Sequence, residues 1–367
     1  MKKNIAVIFG GKSTEHDISI LTALQAMEHI DREKYNVYPI YITKQGKWFC
    51  DERFLKLSTF ENFCEKGLKE VAVLPNENYL FVKSFGAFKK DKKIDCALLA
   101  LHGKNGEDGS IQGLMELANI PYTSSGILAS SLGMNKLAQK IYFEGLDLPL
   151  VPYFSLTKDE YKKLGEKIGN IDFSFPVVIK PNRQGSSIGI CFCKDKKMLQ
   201  YAIDFAFKLD DTVVIEKAVE NLKEVNISAM KIDGEILLSE TEQPISQNSI
   251  LTFADKYIGS QGTKRKSGSV ATKSCDNKMQ KCKGSNQSGL QNLSRKIPAD
   301  IDENQKRLIE SYAFEIYEKM ECGGVIRIDF IIDELTQSIY VNEVNTIPGS
   351  FAYYLWTKKG ISFGQEL

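Results

Sequence analysis

The chain lacks an apolar run long enough to cross a membrane as a helix, which takes about 20 consecutive residues. Its first residues, MKKNIAVIFGG, lose their apolar character at two glycines, which is not the pattern of a signal peptide. No internal repeat is present in the sequence. These absences predict a soluble cytoplasmic protein with no membrane partner.

An excess of charge of one sign is also missing. The 48 Lys and Arg residues balance 47 Asp and Glu residues, and a net charge of +1 argues against a nucleic-acid partner. Among the eight cysteines, Cys191 and Cys193 are too close together for a zinc clip, and Cys275 and Cys282 are too far apart. Reduced cytosolic thiols are therefore favoured over a metal site or a disulfide framework.

Two common nucleotide-binding fingerprints are absent. A predicted strand over residues 4–9 leads through two glycines to a helix beginning near Thr14, but G-x-G-x-x-G does not occur there. Lys180 ends another predicted strand and precedes the glycines of NRQGSSIG, whereas the lysine of a Walker A loop follows them. A glycine loop beside a lysine still suits phosphates, because backbone N–H groups approach closely and the ammonium neutralises charge. A flexible turn is the alternative.

The stretch GGVIRIDFIIDELTQSIYVNEVNTIPG, residues 323–349, carries the strongest signal. Residues 325–332 and 339–345 read as two strands around a polar turn, because they are rich in β-branched and aromatic residues. Alternation along each strand puts Arg327 and Asp329 on one face, and Glu343 and Asn345 on one face. The simplest hairpin register therefore brings three hard oxygen ligands and a guanidinium together.

This arrangement suits Mg²⁺, which takes carboxylate oxygens and is completed by water and phosphates. The alternative is a hairpin with one wet face, where Arg327 and Asp329 form a weak surface pair. The apolar residues around both charges favour burial, and buried charges must be paired or hold a metal. The strand also ends in a rigid Asn-Thr-Ile-Pro-Gly turn, which aims backbone N–H groups at the same place.

RIDF followed by E-V-N-T-I-P-G resembles the metal hairpin of ATP-grasp enzymes, most closely of the D-alanine–D-alanine ligase family. GG-x-S-x-E near the start and HGxxGEDGxIQG at residues 102–113 resemble the same family, and Met134-Asn135-Lys136 resembles its M-D-K with Asn in place of Asp. The resemblance implies an α/β ATP-grasp fold. In it, a Rossmann-like domain with a parallel sheet precedes two subdomains that sandwich the nucleotide.

The resemblance also implies the residues that handle ATP and metal. Asp329, Glu343 and Asn345 would hold two Mg²⁺ ions, with Mn²⁺ as a substitute, and Arg327 with the Gly349 N–H would stabilise an oxyanion. Residues implied to bind ATP are those on the phosphates (Lys136, Lys180, Lys256), in the closing loop (Ser186, Ser187), at the base (Glu216, Lys217, Val219) and at the ribose (Glu224).

The amino-acid substrates are assigned in the same way. Glu15 would bind the ammonium of the first D-alanine, and Glu15, Ser186 and Tyr257 would form one hydrogen-bonded set over it. His102 would lie near this substrate, although a lone histidine is as readily structural. Tyr354 and Leu355 would meet the second substrate, but many relatives carry Ser at the position of Tyr354.

The domains implied are residues 1–124, which bind substrate, and the ATP-grasp subdomains 125–214 and 215–367. The sequence of residues 54–93 predicts a hairpin and gives no further structural or functional signal. Residues 259–296 depart from the family as a long polar, basic insert, whose composition cannot bury enough apolar surface to fold alone.

The implied activity is ATP-dependent ligation of two D-alanine molecules through an acyl phosphate, for peptidoglycan synthesis. The expected partners are ATP and D-alanine, and we expect a homodimer. The alternatives are a D-alanine–D-lactate ligase, another carboxylate–amine ligase, and a nucleotide-binding regulator without catalysis.

Overall fold

A computed structural model describes residues 1–165, 174–245 and 295–367. Tyr257, Lys256 and nearly all of the segment 259–296 lie outside the described residues. Within the described ranges, every helix is too short or too polar to span a membrane.

The N-terminal part forms one mixed sheet of seven strands. In chain order the strands are β1 (Lys3–Gly10), β2 (Tyr35–Ile42), β3 (Trp48–Cys50), β4 (Lys69–Leu74), β5 (Glu77–Ser84), β6 (Ala87–Lys93) and β7 (Cys96–Leu99). They lie in the order β6-β5-β4-β3-β2-β1-β7. β1 is parallel to both β2 and β7, and its residues 6–9 are buried. This matches the continuous apolar run expected of a parallel strand covered on both faces.

The other strands of this sheet pair antiparallel, from β2 through β6. The sequence predicts a strand at residues 37–42 and a hairpin within residues 54–93. The outermost strand, β6, is exposed along its whole length and carries four lysines, which discourages another strand from pairing with it. The helices of this part are α1 (His16–His29), α2 (Ser58–Glu61) and α3 (Ser110–Leu117), with a 3-10 turn at Glu52–Leu55.

Two helices follow within residues 127–145, a stretch whose sequence predicts one continuous helix. They are α4 (Ile127–Gly133) and α5 (Lys136–Glu144). The break lies at Asn135, whose backbone is extended and whose side chain accepts a hydrogen bond from the Ala138 N–H. Asn135 therefore caps α5, as the Asp of the family motif is also able to do. Lys136 begins the second helix.

The central part is an antiparallel sheet of four strands, in the order β10-β9-β11-β8. Its elements are β8 (Tyr153–Thr157), α6 (Lys158–Leu164), β9 (Val177–Pro181), β10 (Cys191–Cys193), α7 (Lys196–Ala206) and β11 (Thr212–Lys217). The apolar face of α7 packs against this sheet through Leu199, Ala202 and Ile203. Lys180 is near the end of β9, as the sequence predicted.

The C-terminal part contains a second antiparallel sheet, in the order β13-β12-β16-β17. Its strands are β12 (Leu222–Ile232), β13 (Glu235–Leu238), β16 (Ile326–Asp333) and β17 (Ile339–Asn345), and a separate pair is formed by β14 (Gln243–Pro244) and β15 (Arg295–Lys296). Helix α8 (Glu303–Lys319) covers one face and begins with a capping box between Asp302 and Gln305. Short elements follow: 3-10 turns at Gly349–Ala352 and Thr357–Lys359, α9 (Tyr353–Trp356) and α10 (Phe363–Glu366).

The described residues pack into three hydrophobic cores, one for each sheet of four strands or more. The chain crosses between cores after β17, because Ile347, Phe351 and Phe363 belong to the N-terminal core. Ser350 bonds to Thr22 and Gln25 of α1, which ties the end of the hairpin to the N-terminal domain. This crossing brings β17 and the start of α1 to one cleft.

Candidate active site

A cleft opens where the three parts of the chain meet. The residue before α1 and the glycine-containing loop after β9 face the hairpin of β16 and β17 across this cleft. Residues predicted from the sequence that line it are Glu15, His102, Lys136, Ser186, Glu224, Arg327, Glu343, Asn345, Gly349 and Tyr354. These residues come from nine elements or loops that are spread along the chain, so folding brings most of the predicted set together.

The hairpin has the register that the sequence predicted. Arg327 lies opposite Asn345, and Asp329 lies opposite Glu343. The guanidinium of Arg327 donates to both carboxylate oxygens of Asp329, at 2.6 and 2.8 Å, and Asn345 Nδ2 donates to Asp329 Oδ2 at 3.1 Å. Burial would lower the pKa of Arg327, but Asp329 outweighs it and raises that pKa well above its usual value. Arg327 therefore keeps its charge in the cleft.

The donor set fits Mg²⁺. Asp329, Glu343 and Asn345 offer hard oxygen atoms from neighbouring strand positions, and Mg²⁺ is usually held by one or two carboxylates with phosphate oxygens. Among the described residues, no group of three His, Cys, Asp or Glu side chains is arranged as a metal site. Metal binding here therefore depends on the amide of Asn345 and on phosphates of a bound nucleotide.

Two lysines lie near the predicted metal ligands, and one of them, Lys136, lines the cleft. Lys136 Nζ lies 3.3 Å from Glu343 and donates to the Gln184 carbonyl at 2.9 Å. Lys180 Nζ lies 2.7 Å from Glu216 and donates to Asn342 Oδ1 at 3.1 Å. Asn342 is the extra residue of a β-bulge in β17, opposite the Asp329–Phe330 step of β16. The bulge turns the Asn342 side chain toward Lys180. Both ammonium groups are therefore held beside the predicted metal ligands.

A buried cluster behind these lysines was missed by sequence reasoning. Lys140, one helical turn after Lys136, lies 3.0 Å from Glu216, and its side chain is 2% exposed. Its ammonium also lies 5.1 Å from the ring centre of Tyr153. Burial would raise the pKa of Glu216, but Lys180 and Lys140 outweigh it and hold that pKa at about 2. The signal in the sequence was the spacing of four residues between two lysines on one helix.

The residues predicted to bind the base and the ribose of ATP lie on β11 and β12 and in the loop between them. Glu216 and Lys217 end β11, Val219 follows in the loop, and Glu224 of β12 lines the cleft. The Lys217 N–H is bonded to the Pro152 carbonyl, so this N–H group is not available to a ligand.

Glycines bring Glu15 against the central loop. Ser186 Oγ donates to Glu15 Oε1 across 171 residues of sequence. A Cβ at Gly103 would stand 2.4 Å from Glu15 Oε2, and a Cβ at Gly185 would stand 2.8 Å from it, so both approaches need glycine. Ser186 and Ser187 both have positive φ, which aims this loop at the cleft. The third member of the predicted set, Tyr257, lies outside the described residues.

His102, which is buried, and Glu107, which is half-buried, lie beside Glu15. His102 Nε2 bonds to Thr22 Oγ1 at 2.8 Å, and burial lowers its pKa to about 4. Glu107 accepts hydrogen bonds from the N–H groups of Gly103 (2.7 Å) and Ile347 (3.2 Å). Burial and the nearby charge of Glu15 raise the pKa of Glu107 to about 8. Glu107 thus ties the GEDG loop to the turn after β17.

The predicted second-substrate residues differ in their exposure to the cleft. Tyr354 lines it, and its hydroxyl donates to Glu242 Oε2 at 2.9 Å. Leu355 is fully buried in the protein interior. Glu242, Arg295 and Asn226 also line the cleft, and sequence reasoning assigned none of them a role.

Comparisons with known proteins agree over the whole chain. Residues 4–125 match the family described as D-ala D-ala ligase N-terminus, and residues 142–286 and 281–367 match D-ala D-ala ligase C-terminus. The D-alanine–D-alanine ligase of Thermosipho melanesiensis is 36% identical over 366 residues, which cover 99% of this chain and 91% of that protein. That of Staphylococcus epidermidis is 34% identical over 369 residues, covering 99% and 92%.

Solved structures give the same result. The VanG D-Ala:D-Ser ligase from Enterococcus faecalis superposes with a TM-score of 0.78 at 28% identity, covering 100% of this chain and 97% of that chain. The D-alanine–D-alanine ligase from Helicobacter pylori superposes with a TM-score of 0.75 at 26% identity, covering 100% and 98%. The α/β ATP-grasp fold predicted from the sequence is confirmed by these similarities, and the chain belongs to the D-alanine–D-alanine ligase family.

Proposed function

We propose that the chain joins two D-alanine molecules into D-alanyl-D-alanine at the expense of ATP, for peptidoglycan precursor synthesis. One observation carries the proposal: the Glu15 carboxylate and the ion-paired guanidinium of Arg327 line the same cleft, and Lys136 lines it as well. Gly103 and Gly185 let the backbone approach the Glu15 carboxylate closely. The carboxylate suits an amino-acid ammonium, and the guanidinium suits a developing oxyanion.

Each residue then has a distinct task in the proposed reaction. Glu15, held by Ser186, binds the ammonium of the first D-alanine and leaves its carboxylate directed at the γ-phosphate of ATP. Lys136 and Lys180 neutralise the transferring phosphoryl group, so the step depends on positioning and charge. Asp329, Glu343 and Asn345 would hold Mg²⁺, which when bound supplies further neutralisation of phosphate charge.

The second step forms the peptide bond. The amine of the second D-alanine attacks the carbonyl carbon of the acyl phosphate, the C–N bond forms, and the C–O bond to phosphate breaks. The protons shed by the attacking ammonium pass to solvent. Arg327 and the Gly349 N–H face the carbonyl oxygen while it is negative, and fixed donors of this kind stabilise such an intermediate strongly. Glu107 and His102 hold the surrounding loops in place.

The finer features of the proposal rest on the family resemblance. They are two metal ions with Mn²⁺ as a substitute, phosphate contact by Lys256, lid closure by Tyr257, a cytoplasmic location and a homodimer. Titrations of ATP with each metal ion test the number of ions bound and whether Mn²⁺ can replace Mg²⁺. Sedimentation velocity tests whether the chain forms a homodimer.

The test of the main proposal is phosphate release from MgATP across a panel of amino acids and hydroxy acids, with products identified by mass spectrometry. D-Alanine alone should support phosphate release and give the dipeptide. D-Serine and D-lactate are included as second substrates, because the VanG relative is a D-Ala:D-Ser ligase. Preference for D-lactate or D-serine would replace the substrate assignment, and absence of any substrate-dependent release would favour a nucleotide-binding regulator.

A further inference from the structure

The central sheet has one apolar face and one charged face. Side chains of β9 and β11 alternate between the two, and one set packs in the same core as α7: Val177, Ile179, Val213 and Ile215. Lys180 and Glu216 therefore point to the other face, where Tyr153 of β8 lies directly opposite Glu216. Helix α5 brings Lys140 to this face. One buried carboxylate thus meets two lysines from different elements.

The two lysines lie beside different oxygens of the same carboxylate. Lys140 Nζ is 3.0 Å from Glu216 Oε1, and Lys180 Nζ is 2.7 Å from Glu216 Oε2. The side chains of Lys140 and Glu216 are 2% and 4% exposed, so solvent ions screen these charges little. Glu216 is ionised, because both lysines oppose the effect of burial on its pKa. One of the two positive charges therefore exceeds what the carboxylate needs.

This excess charge matters for the phosphate contact proposed for Lys180. A Lys180–Glu216 pair on its own is electrically neutral, so it would offer a phosphate little net attraction. Two lysines and one carboxylate leave one positive charge in total. Lys180 also donates to Asn342 Oδ1 at 3.1 Å, which holds its ammonium on the side of the metal hairpin. The surplus is thus directed toward the predicted place of the phosphates.

Lys140 acts from behind Lys180. Its ammonium lies 5.1 Å from the ring centre of Tyr153, and the Tyr153 hydroxyl bonds to Glu144, one turn later on α5. The ring is therefore held against the ammonium, and an aromatic face attracts a desolvated cation. Burial lowers the pKa of Lys140, Glu216 opposes this shift, and Lys180 adds to it. A phosphate beside Lys180 would offset the repulsion between the two lysines.

We propose that Lys140 is a positioning residue for nucleotide binding: it serves as the counter-ion of Glu216 and so leaves the charge of Lys180 available to a phosphate of ATP. This inference rests on the phosphate contact of Lys180 in the proposed ligase function. It also separates two parts of the nucleotide. Lys140 affects binding of the phosphates, and it leaves binding of the base and ribose unchanged.

The first test compares two ligands in Lys140→Met. AMP-PNP, a non-hydrolysable analogue of ATP, carries phosphates, whereas adenosine carries only the base and ribose. Without Lys140, Glu216 and the phosphates compete for Lys180. We therefore expect the Kd for Mg–AMP-PNP to rise roughly 10- to 100-fold, as for loss of a hydrogen bond to a charged group. The Kd for adenosine, from the same calorimetric titration, should match that of the parent.

The matched control is Lys158→Met. Lys158 forms an exposed pair with Asp211 at 2.9 Å in the same part of the chain, so its loss should leave both Kd values unchanged. Lys140→Met is expected to fold, because the pair between Lys180 and Glu216 survives in it.

The second test removes the carboxylate as well. In Glu216→Gln the neutral side chain no longer competes for Lys180, so adding Lys140→Met should change the ratio of the two Kd values far less than it does in the parent. A general disturbance of α5 does not produce this dependence on Glu216. The comparison of Glu216→Gln with the double variant also covers a single Lys140→Met variant that fails to fold.

The third measurement is the pH dependence of Mg–AMP-PNP binding. Lys140, Lys180 and Tyr153 face Glu216 from α5, β9 and β8. In Lys140→Met with bound phosphates, competition for Lys180 raises the pKa of Glu216. A fall in pH protonates Glu216 and returns Lys180 to the phosphates, so the affinity gap between Lys140→Met and the double variant should narrow. Protonation of the phosphates affects both variants alike.

Two results overturn the inference while the ligase function stands. One is a ratio of Kd values in folded Lys140→Met equal to that of the parent. The other is an equally large effect of Lys140→Met with and without Glu216→Gln, because Lys140 would then act through another group. Failure of the parent to release phosphate with D-alanine overturns the ligase function itself.

Discussion

The two walls of the cleft hold their ionisable side chains in opposite ways. On the wall formed by the hairpin and the lysines beside it, Lys136 pairs with Glu343, Lys180 with Glu216 and Arg327 with Asp329, each within 3.3 Å. On the N-terminal wall, His102 is buried and Glu107 is half-buried, and they bond to a hydroxyl and to backbone N–H groups. The pKa values follow, about 2 for Glu216 against about 8 for Glu107.

This contrast shows that burial alone does not decide the charge of a side chain. Burial favours the neutral form, and a fixed countercharge reverses that preference. We infer that the charged wall is organised for phosphates and metal, which bring large charges of their own. The neutral wall surrounds Glu15 and is organised for a single substrate ammonium, whose arrival would lower the pKa of Glu107 by offsetting the charge of Glu15.

The strongest test of the charged wall is Glu343→Gln. The substitution keeps the shape of the side chain but removes one of the two carboxylates predicted to hold Mg²⁺. We expect kcat to fall roughly a thousand-fold, because metal ions supply several kcal/mol of charge stabilisation in phosphoryl transfer. The melting temperature should change little. Glu334→Gln, in the exposed turn of the same hairpin, is the matched control and should retain full activity. Normal Mg²⁺-dependent turnover in Glu343→Gln would remove Glu343 from the metal site.

The next test separates the members of the buried lysine cluster. Glu216→Gln would leave Lys140 and Lys180 facing each other without a carboxylate, and we expect it to lower the free energy of unfolding by about 3 kcal/mol. Lys140→Met should cost clearly less, because the Lys180–Glu216 pair survives and because burial already lowers the pKa of Lys140.

Urea unfolding without nucleotide measures both variants of this cluster. Asp211→Asn is the matched surface control, since Asp211 and Lys158 form an exposed pair at 2.9 Å, and it should change stability by less than about 1 kcal/mol. Equal losses for Glu216→Gln and Lys140→Met would mean that the carboxylate is not the member that holds the cluster together.

The hairpin was predictable from the sequence because its contacts are local. Alternation in two adjacent strands and one short turn determine which of Arg327, Asp329, Glu343 and Asn345 share a face, and the structure has that register. The position of Asn342 was not predictable, because the bulge adds a residue without a mark in the pattern. The helix break at Asn135 was missed because the apolar spacing continues through the cap.

The contacts among Glu242, Arg295 and Tyr354 could not be predicted from the sequence for a different reason. Glu242, Arg295 and Tyr354 come from a loop before β14, from β15 and from α9, so their contact depends on the packing of distant segments. Tyr354 was noticed as a departure from the family, but its partners carry no motif. The raised pKa of Glu107 depends on its desolvation in the folded protein and on the nearby charge of Glu15, neither of which a sequence reveals.

The smallest expected effect tests the neutral wall through pH. The pKa of His102 is about 4, chiefly because of burial, against 6.5 for an ordinary histidine; its bond to the Ile347 backbone opposes the shift and Arg327 adds to it. As pH falls, the unfolded chain therefore binds a proton at this residue before the folded protein does. The stabilisation from neutral His102 is complete above pH 6.5 and is lost as pH falls toward 4.

Replacing the ring with an uncharged side chain should remove this dependence. Between pH 7 and pH 5, we expect the parent to lose about 2 kcal/mol more unfolding free energy than His102→Gln does, from one proton bound only by the unfolded chain. Urea unfolding at a series of pH values measures the two slopes. His29→Gln is the control, because His29 is exposed at the end of α1 and should leave the slope of the parent unchanged. Parallel slopes for the parent and His102→Gln would show that this imidazole can take up a proton in the folded protein, and the contrast between the walls would then rest on Glu107 alone.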